Sequence, residues 1–361
     1  IVDSDDDDDN VSDDQDAFPN DPTESIDSDN DGVGDNSDAF PDDASKQYLS
    51  LAEAVAGLLD TNLNNCVVNQ TQGTDTVGSI TALECNHKNI ESLAGIEAFT
   101  NLVDLNIEGY RGGDLSPLAK LAKLDQLSIA WSCCSDAARD LTPLLGLKQL
   151  TKLNLNNANI KDIAVLGGLT NLRDLQIGWN QINDYSALAN LKQLRYLNLY
   201  SSQISTIPEL GATASLEQLD LGENPITTLA GLSEVPSLRY INLNNTQITD
   251  LSPLSGSQNL QNISARTARL QSLTLSNLPG LNQLELSDNQ ITSIVIDGVP
   301  NLHWIDLNNN RLTGFAGFEV ASNLSYLYLH NNLIRNVASI KPVLASTPLR
   351  ELTLTSNEKI G

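Results

Sequence analysis

The sequence predicts an α/β-type solenoid, a horseshoe of about 13 repeats with a parallel concave sheet, short 3₁₀ or turn segments on the convex side and a helical N-terminal cap. Three observations carry that expectation. Apolar residues recur in a 22-residue frame, in which Leu172, Leu175, Ile177, Asn180, Ile182, Tyr185, Leu188 and Leu191 stand at positions 1, 4, 6, 9, 11, 14, 17 and 20. Positions 4 and 6 alternate as a strand does, whereas 11, 14, 17 and 20 fall every third residue, as a 3₁₀ return path requires. The frame opens thirteen times, at Ile80, Leu102, Leu124, Leu150, Leu172, Leu194, Leu216, Leu238, Leu260, Leu281, Leu302, Leu324 and Leu349. One such turn has nothing to cover its apolar side, so neighbouring turns must stack into a continuous core.

Charge is unevenly spread. The formal net charge is −26, and residues 1–45 hold 18 acidic and no basic side chains, leaving 28 acids against 20 bases for the remainder. No nucleic acid partner is expected of such a chain. No apolar run approaches the roughly 18 residues of a membrane span, and no charged-then-apolar signal segment is present. The chain begins at Ile1 and contains no Met, so a mature protein or a fragment is expected.

The first unit, residues 1–45, contains a duplicated loop. Residues 5–16 read DDDDDNVSDDQD and residues 27–38 read DSDNDGVGDNSD, each followed by Ala-Phe-Pro. Asp27, Asp29, Asp31, Asp35 and Asp38 occupy positions 1, 3, 5, 9 and 12 of a calcium loop, with Gly32 at the sharp turn and the Val33 carbonyl at position 7. Asp5, Asp7, Asp9, Asp13 and Asp16 repeat that spacing, with Val11 at position 7. Asn10 stands in for the glycine, which is tolerable because Asn visits the left-handed region more readily than other residues. Hard oxygens at alternating positions suit Ca²⁺, the one cofactor expected, and carboxylates so crowded repel one another without it. The competing expectation is a disordered acidic tail. No EF-hand helices flank the loops, and the pair resembles the calcium-binding repeats of thrombospondin type 3. That resemblance implies a spacer between modules of a secreted protein, and hence an extracellular or cell-surface location.

Residues 46–79 read as the cap of the solenoid. Tyr48, Leu51, Val55, Leu58 and Leu59 fall at helical spacing, with Asp43 or Ser45 as N-cap and a loop following that holds Cys66. The four cysteines, Cys66, Cys85, Cys133 and Cys134, are too few and too badly spaced for a zinc ribbon or finger. An extracellular setting favours disulfides over free thiols. Cys85 takes position 6 of the first repeat, normally an inward Leu, and Cys66 lies in the segment that must cover that repeat, so these two are expected to pair. For the adjacent Cys133 and Cys134, a vicinal bridge and free thiols both stand open.

Residues 80–361 are the repeats. Most intervals are 22 residues; 26 follow Leu124, where Cys133 to Asp140 form an insertion, 21 follow Leu260 and Leu281, and 25 follow Leu324. Three returns carry Asp-Leu-Ser/Thr-Pro-Leu, at Asp114 to Leu118, Asp140 to Leu144 and Asp250 to Leu254, where proline fixes the backbone as the chain leaves the strand. With the LxxLxLxxNxI core, this run resembles the leucine-rich repeats of the internalin class of bacterial surface proteins. The resemblance implies a recognition or adhesion role, and a fold of this kind serves many unrelated partners. The last frame ends without a polar C-terminal cap, so a longer natural protein is expected.

Position 9 is uneven. Asn180, Asn224, Asn289, Asn310, Asn332 and Asn357 hold it in six repeats, where an amide bonds backbone groups of the turn. Lys88, Tyr110, Ser132, Ala158, Ser202, Thr246 and Ala268 hold it in the others, so the turns at Ala158 and Ala268 need another partner, and a less regular first half is expected.

Positions 2, 3, 5, 7 and 8 should face the concave surface. Eight of the 11 Trp and Tyr residues fall there, Trp131, Trp179, Tyr196, Tyr200, Tyr240, Trp304, Tyr326 and Tyr328, where an even spread would give about two. Strands favour aromatic residues in any case, yet exposed Trp and Tyr are the usual anchors of binding sites. Strand spacing sets Trp131 and Trp179, two repeats apart, about 10 Å from each other. Arg173, Arg195 and Arg239 are expected to flank this group, and His303 and His330 a second one around Trp304. No nucleophile or zinc motif surrounds His87, His303 or His330, so no enzyme is expected. The sequence therefore points to a secreted or surface-exposed monomer that binds a protein partner on its concave face, with a glycan ligand or a structural stalk as alternatives.

Overall fold

The computed structural model describes residues 5–7, 9–36, 38, 41–42, 44, 49–72, 76–132, 138–210, 215–232 and 235–357. Cys133 and Cys134, and Asp43, Ser45 and Tyr48 of the expected cap, lie outside these residues.

Thirteen short parallel strands, from Ala82–Glu84 to Glu351–Thr353, form one sheet in chain order. Each frame supplies one strand, at its positions 3 to 5. The register steps by one repeat throughout: Leu105 pairs with Leu127, Leu127 with Leu153 and Leu284 with Ile305. The 26-residue interval leaves this register intact. The first half, where irregularity was expected, pairs as evenly as the second. Apolar residues at positions 1, 4 and 6 are buried in nearly every repeat and fill one continuous core. Burial of this kind stabilises by roughly 25 cal/mol per Å² of apolar surface removed from water.

The return paths are 3₁₀ helices such as Ser116–Lys120, Thr142–Gly146 and Ser186–Asn190. Asp two residues before the helix starts its turn: the Asp114, Asp140 and Asp184 carboxylates each accept the backbone N–H of the second residue on, at 2.8 Å. Pro117, Pro143 and Pro253 sit in the first turn of their 3₁₀ helices, where no backbone donor is lost.

Two features depart from the expected convex side. Ser272–Ser276 and Ser293–Asp297 pair as a second, two-stranded parallel sheet, with Leu273, Leu275, Ile294 and Ile296 turned inward. These are the returns of the two 21-residue repeats. An extended chain rises about 3.3 Å per residue against about 2.0 Å in a 3₁₀ helix, so the same path needs fewer residues. The 25-residue interval instead accommodates a helix, Lys341–Ser346, which buries Val343.

At the N-terminal end two helices precede the first strand. Helix α1, Leu51–Gly57, starts at Ser50 in a capping box with Glu53, five residues beyond the position expected, because Ser50 Oγ and Glu53 satisfy each other's backbone N–H groups. Leu59 lies past its end and is exposed. Helix α2, Thr61–Gln70, replaces the expected loop. Its polar sequence hides the signal, which is the cap residue Asp60. One Asp60 oxygen accepts the N–H groups of Asn62 and Leu63 at 2.8 and 2.9 Å, and the other accepts those of Glu91 and Ser92 at 2.7 and 3.2 Å, fixing α2 to the first repeat. Gln70 closes the open edge of the sheet: its side chain donates to the Glu84 carbonyl at 3.0 Å and accepts the Glu84 N–H at 2.9 Å.

Cys66 on α2 and Cys85 of the first repeat are joined by a disulfide, with Cα atoms 5.7 Å apart. Peptide mapping without reductant is expected to recover the two residues on linked peptides, and reduction to lower stability by about 2–4 kcal/mol. Free thiols at both positions would refute the pairing.

Candidate functional site

The turn after each strand sets the stage for the aromatic residues. In all thirteen repeats position 8 is left-handed, from His87 (φ 54°) to Ser356 (φ 58°), and its occupants include Gly109, Asn157, Asn245, Asn309 and Asn331. The pattern escapes a reading by hydrophobicity because its residue types vary. Gly and Asn suit that conformation; other L-residues carry roughly 1–2 kcal/mol of strain there. Trp131 (φ 56°) and Trp179 (φ 55°) both occupy it.

Position 9 explains how the turn is held. The Asn180 side chain donates to the Leu155, Ile177 and Gly178 carbonyls at 2.8, 3.0 and 3.1 Å, and its oxygen accepts the N–H groups of Ala158 and Ile160 at 3.2 and 2.9 Å. Asn224 makes the same five bonds around Leu199, Leu221, Gly222, Ser202 and Ile204. Each amide thus serves its own turn and that of the repeat before. This supplies the partner that the turns at Ala158 and Ala268 lack, from Asn180 and from Asn289, which donates to the Ala265 carbonyl at 2.8 Å. Where the amide is missing, Ser132 and Thr246 hydroxyls donate to the carbonyls of Ile129 and Leu243. Near Ala158, buried Arg139 lies 5.0 Å over the Tyr110 ring and donates to the Ala158 carbonyl at 3.4 Å.

On this frame the rings form two groups. Trp131 and Trp179 have centroids 5.1 Å apart, and Trp179 and Tyr200 4.6 Å, all three tilted. The 10 Å expected from strand spacing fails because position 8 lies beyond the strand: the intervening repeat places the shorter Asn157 there, and the two indoles close over the gap. The Trp179 backbone N–H donates to the Tyr200 carbonyl at 2.8 Å. The Tyr200 ring lies over Gly222, where an added methyl would stand 3.0 Å from two ring carbons. Burial, then a hydrogen bond to Glu223 and its charge, raise the Tyr200 hydroxyl above its ordinary range. Trp131 is 44 % exposed and Trp179 38 %, so the stack is presented to solvent rather than absorbed by the core.

Tyr196 and Tyr240 are half-buried at the starts of alternate strands, at position 3, and stand apart from the Trp stack. Arg195 and Arg239 line a depression at the strand-entry edge with Ser215, Glu217, Ser237 and Asn259, and Arg173 lines another beside it. The expected arginine flank therefore belongs to the opposite edge from the indoles, which sit six positions further along. Strand-entry edges carry a second amide row that the sequence reading missed, Asn101, Asn171, Asn259, Asn301 and Asn323. Each donates to a carbonyl of the preceding repeat, or for Asn101 of the cap, at 2.6–3.0 Å. Its signal is Asn directly before the first Leu of the frame.

The second ring group is looser. His303 meets Tyr326 edge-on at 5.2 Å, Trp304 and Tyr328 are 5.7 Å apart, and His330 Nδ1 lies 2.6 Å from Thr355 Oγ1.

In each acidic loop the carboxylates at positions 1, 3 and 5 converge: oxygens of Asp5, Asp7 and Asp9, and of Asp27, Asp29 and Asp31, lie within 4.8 Å of one another. Asn10 (φ 74°) and Gly32 (φ 93°) both take the left-handed turn at position 6. The Val11 and Val33 N–H groups donate back to Asp9 and Asp31 at 2.6 and 2.9 Å, which gives the two loops one hydrogen-bond pattern. Asp13 and Asp35 at position 9 close the loops by accepting the Asp6 and Ser28 N–H groups at 2.9 and 2.8 Å. Burial, then the charges of Asp9, Asp16 and Asp5, push Asp7 above its ordinary range; burial, then Asp31, Asp38 and Asp27, do the same to Asp29. Asp5 Oδ1, Asp7 Oδ2, Asp16 Oδ2 and Asp29 Oδ2 are shielded from solvent and receive no hydrogen bond. Such a donor set, all hard oxygen with negative charge in excess, suits a calcium-sized cation.

Known proteins agree with the fold. The family described as "Leucine Rich repeats (2 copies)" matches residues 192–234 and 214–256, and that described as "Leucine Rich repeat" matches residues 168–189. No curated protein matches the chain. Among solved structures, an internalin (inlF) of Listeria monocytogenes superposes with a TM-score of 0.64 at 29 % identity, covering 84 % of this chain and 98 % of its own. Internalin C2 of the same organism gives a TM-score of 0.53 at 27 % identity over 59 % of this chain and 96 % of its own. The FLRT2 repeats, solved in a complex with Latrophilin 3 and Unc5D, give 0.62 at 23 % identity over 76 % of this chain and 89 % of theirs. The chain is therefore a leucine-rich repeat solenoid, similar in sequence and structure to internalins.

Proposed function

We propose that this protein is a secreted or surface-exposed recognition module that binds a protein partner through the exposed stack of Trp131, Trp179 and Tyr200 at the strand-exit rim of the concave face. The observation that carries this reading is the pair of tryptophans at position 8. From that turn both rings project into solvent and stack on each other, and exposed aromatic residues are the usual anchors of protein interfaces. Internalin-like neighbours and the FLRT2 complex make a protein-binding role the natural one for this fold, and no described helix is long and apolar enough to cross a membrane. A photo-reactive benzoylphenylalanine in place of exposed Glu223, beside Tyr200, is expected to cross-link the partner, while one in place of Thr274 on the convex sheet is not. Equal cross-linking from both positions would refute the site. Binding to a glycan array without any protein cross-link would move the reading to a sugar ligand.

The acidic loops complete the proposal as Ca²⁺ sites that stiffen the N-terminal segment into a spacer. Asp5, Asp7, Asp9, Asp13, Asp16 and the Val11 carbonyl would hold one ion, and Asp27, Asp29, Asp31, Asp35, Asp38 and the Val33 carbonyl the other. Bound, the ion neutralises carboxylates that otherwise repel. Calorimetry on the full chain is expected to show saturable calcium binding, with the tighter component abolished by Asp27→Ala together with Asp38→Ala. Unchanged binding would remove the assignment.

A further inference from the structure

The amide row of the strand-entry edge closes on itself in earlier repeats and lies open in the last ones. The Asn101 and Asn171 oxygens accept Lys123 Nζ at 2.6 Å and the Gln193 amide at 3.5 Å, each from the residue before the first Leu of the next frame. In the last repeats that place is taken by Gly280, Asn301, Asn323 and Pro348. Pro348 carries no polar side chain, and a methyl at Gly280 would stand 3.0 Å from the Gln258 carbonyl oxygen. Asn301 and Asn323 direct their Nδ2 groups to the Pro279 and Pro300 carbonyls at 2.7 and 2.6 Å, and no described residue donates to either Oδ1. A depression of about 650 Å³ occupies this stretch of the edge.

Its lining differs in chemistry from the rest of the chain. Among the described residues, five of the ten that line it carry side-chain amides and none is acidic, although the chain has a net charge of −26. The Gln261 side chain makes no hydrogen bond with any described residue, and the Arg350 guanidinium has no carboxylate within pairing distance. His303, half-buried, meets Tyr326 edge-on at 5.2 Å, with neither ring nitrogen hydrogen-bonded. A protein partner anchors through apolar and aromatic side chains in pockets of matching character, and here Pro348 supplies the one apolar side chain. An amide instead presents a donor and an acceptor in one plane, which suits neighbouring hydroxyls of a sugar ring, and a guanidinium grips an oxyanion with two parallel bonds. We propose that this depression binds an oligosaccharide bearing an anionic group, with Arg350 on the anion and the Gln261, Asn301 and Asn323 amides on hydroxyls. The site is separate from the Trp131 stack, which lies at the other edge of the sheet and in earlier repeats.

The test is an array of neutral, carboxylated and sulfated glycans probed with the full chain, followed by calorimetry on the strongest binder. Anionic glycans are expected to bind and their neutral counterparts not, and the carboxylated and sulfated members together identify the anion. Arg350→Gln should weaken that binding by about tenfold or more, as loss of a charge-assisted contact does. Gln261→Ala, which removes an amide without a structural bond, should weaken it too, while Arg195→Gln on the same edge should not. Thermal midpoints should be unchanged in all three, because each of these side chains is exposed. Trp179→Asn with Tyr200→Ala should retain the glycan, and Arg350→Gln should retain protein cross-linking from position 223, which separates this site from the rim. An array without an anionic binder, undiminished binding by Arg350→Gln, or binding of an aspartate-rich peptide in place of any glycan would overturn the proposal.

Discussion

Replacing Trp179 by Asn together with Tyr200 by Ala is expected to weaken partner binding by about 30-fold or more while leaving the solenoid as stable as before. The magnitude follows from removing two aromatic anchors at a solvent-presented stack, each typically contributing about 2 kcal/mol or more, against roughly 1.4 kcal/mol for a tenfold change in affinity. Asn is the informative choice at 179. It is what five other turns of this chain use in or beside the same left-handed bend, among them Asn157, Asn245, Asn309 and Asn331 at position 8 itself. Relief of strain at that residue should offset the lost ring contacts to within about 1–2 kcal/mol. Biolayer interferometry gives the affinity and a thermal melt the stability. Normal binding by the double variant, or early unfolding, would sink the rim-stack hypothesis.

The largest effect on stability is expected from Asn180→Ala, at about 3 kcal/mol or more. The substitution removes the Asn180 partner of the Leu155 and Ile177 carbonyls and of the Ala158 and Ile160 N–H groups, in a site where Asn180 is 3 % exposed, while the Gly178 carbonyl keeps the Asn157 N–H. Each buried backbone group so orphaned costs about 1–3 kcal/mol, moderated where water enters. Asn171→Ala serves as the control, because its bonds to the Lys148 carbonyl and from the Gln193 amide lie at the surface and should cost under about 1 kcal/mol. Urea denaturation measures both. A small loss at Asn180 would mean that the turns are held by the leucine core alone.

Much of the scaffold was legible in the sequence because its physics is periodic. Thirteen leucine frames became thirteen strands in register, and the amides at position 9 were placed where backbone groups needed them. The unequal intervals were also visible, but their meaning was not. Only the packed chain shows that 21 residues force an extended return and 25 make room for a helix. Helix α2 was missed because its anchor is one aspartate acting on four N–H groups, two of them about thirty residues away. The aromatic site was half legible. Residue type and frame position singled out Trp131, Trp179 and Tyr200, yet treating position 8 as strand gave the wrong spacing and joined them to arginines that belong to the other edge. The position-9 carboxylates of the acidic loops match ligands by spacing, and Asp13 and Asp35 each accept a backbone N–H group, as Asp5 and Asp27 also do.

The convex strand pair, Ser272–Ser276 with Ser293–Asp297, bears on the shape of the solenoid. A stack of repeats bends when its outer layer advances further per repeat than its inner one. Strands on the concave side advance about 4.8 Å, and helical returns on the convex side are wider. Where strands line both sides, the two layers advance equally and the arc loses its cause. The segment between Asn262 and Asp306 is thus expected to bend less than the repeats around it, with the Trp131 stack in repeats before it and the Trp304 group at its far end. A ligand that spans both ring groups must match that change of curvature, which small-angle scattering of the free and bound chain would register as a difference in its longest dimension.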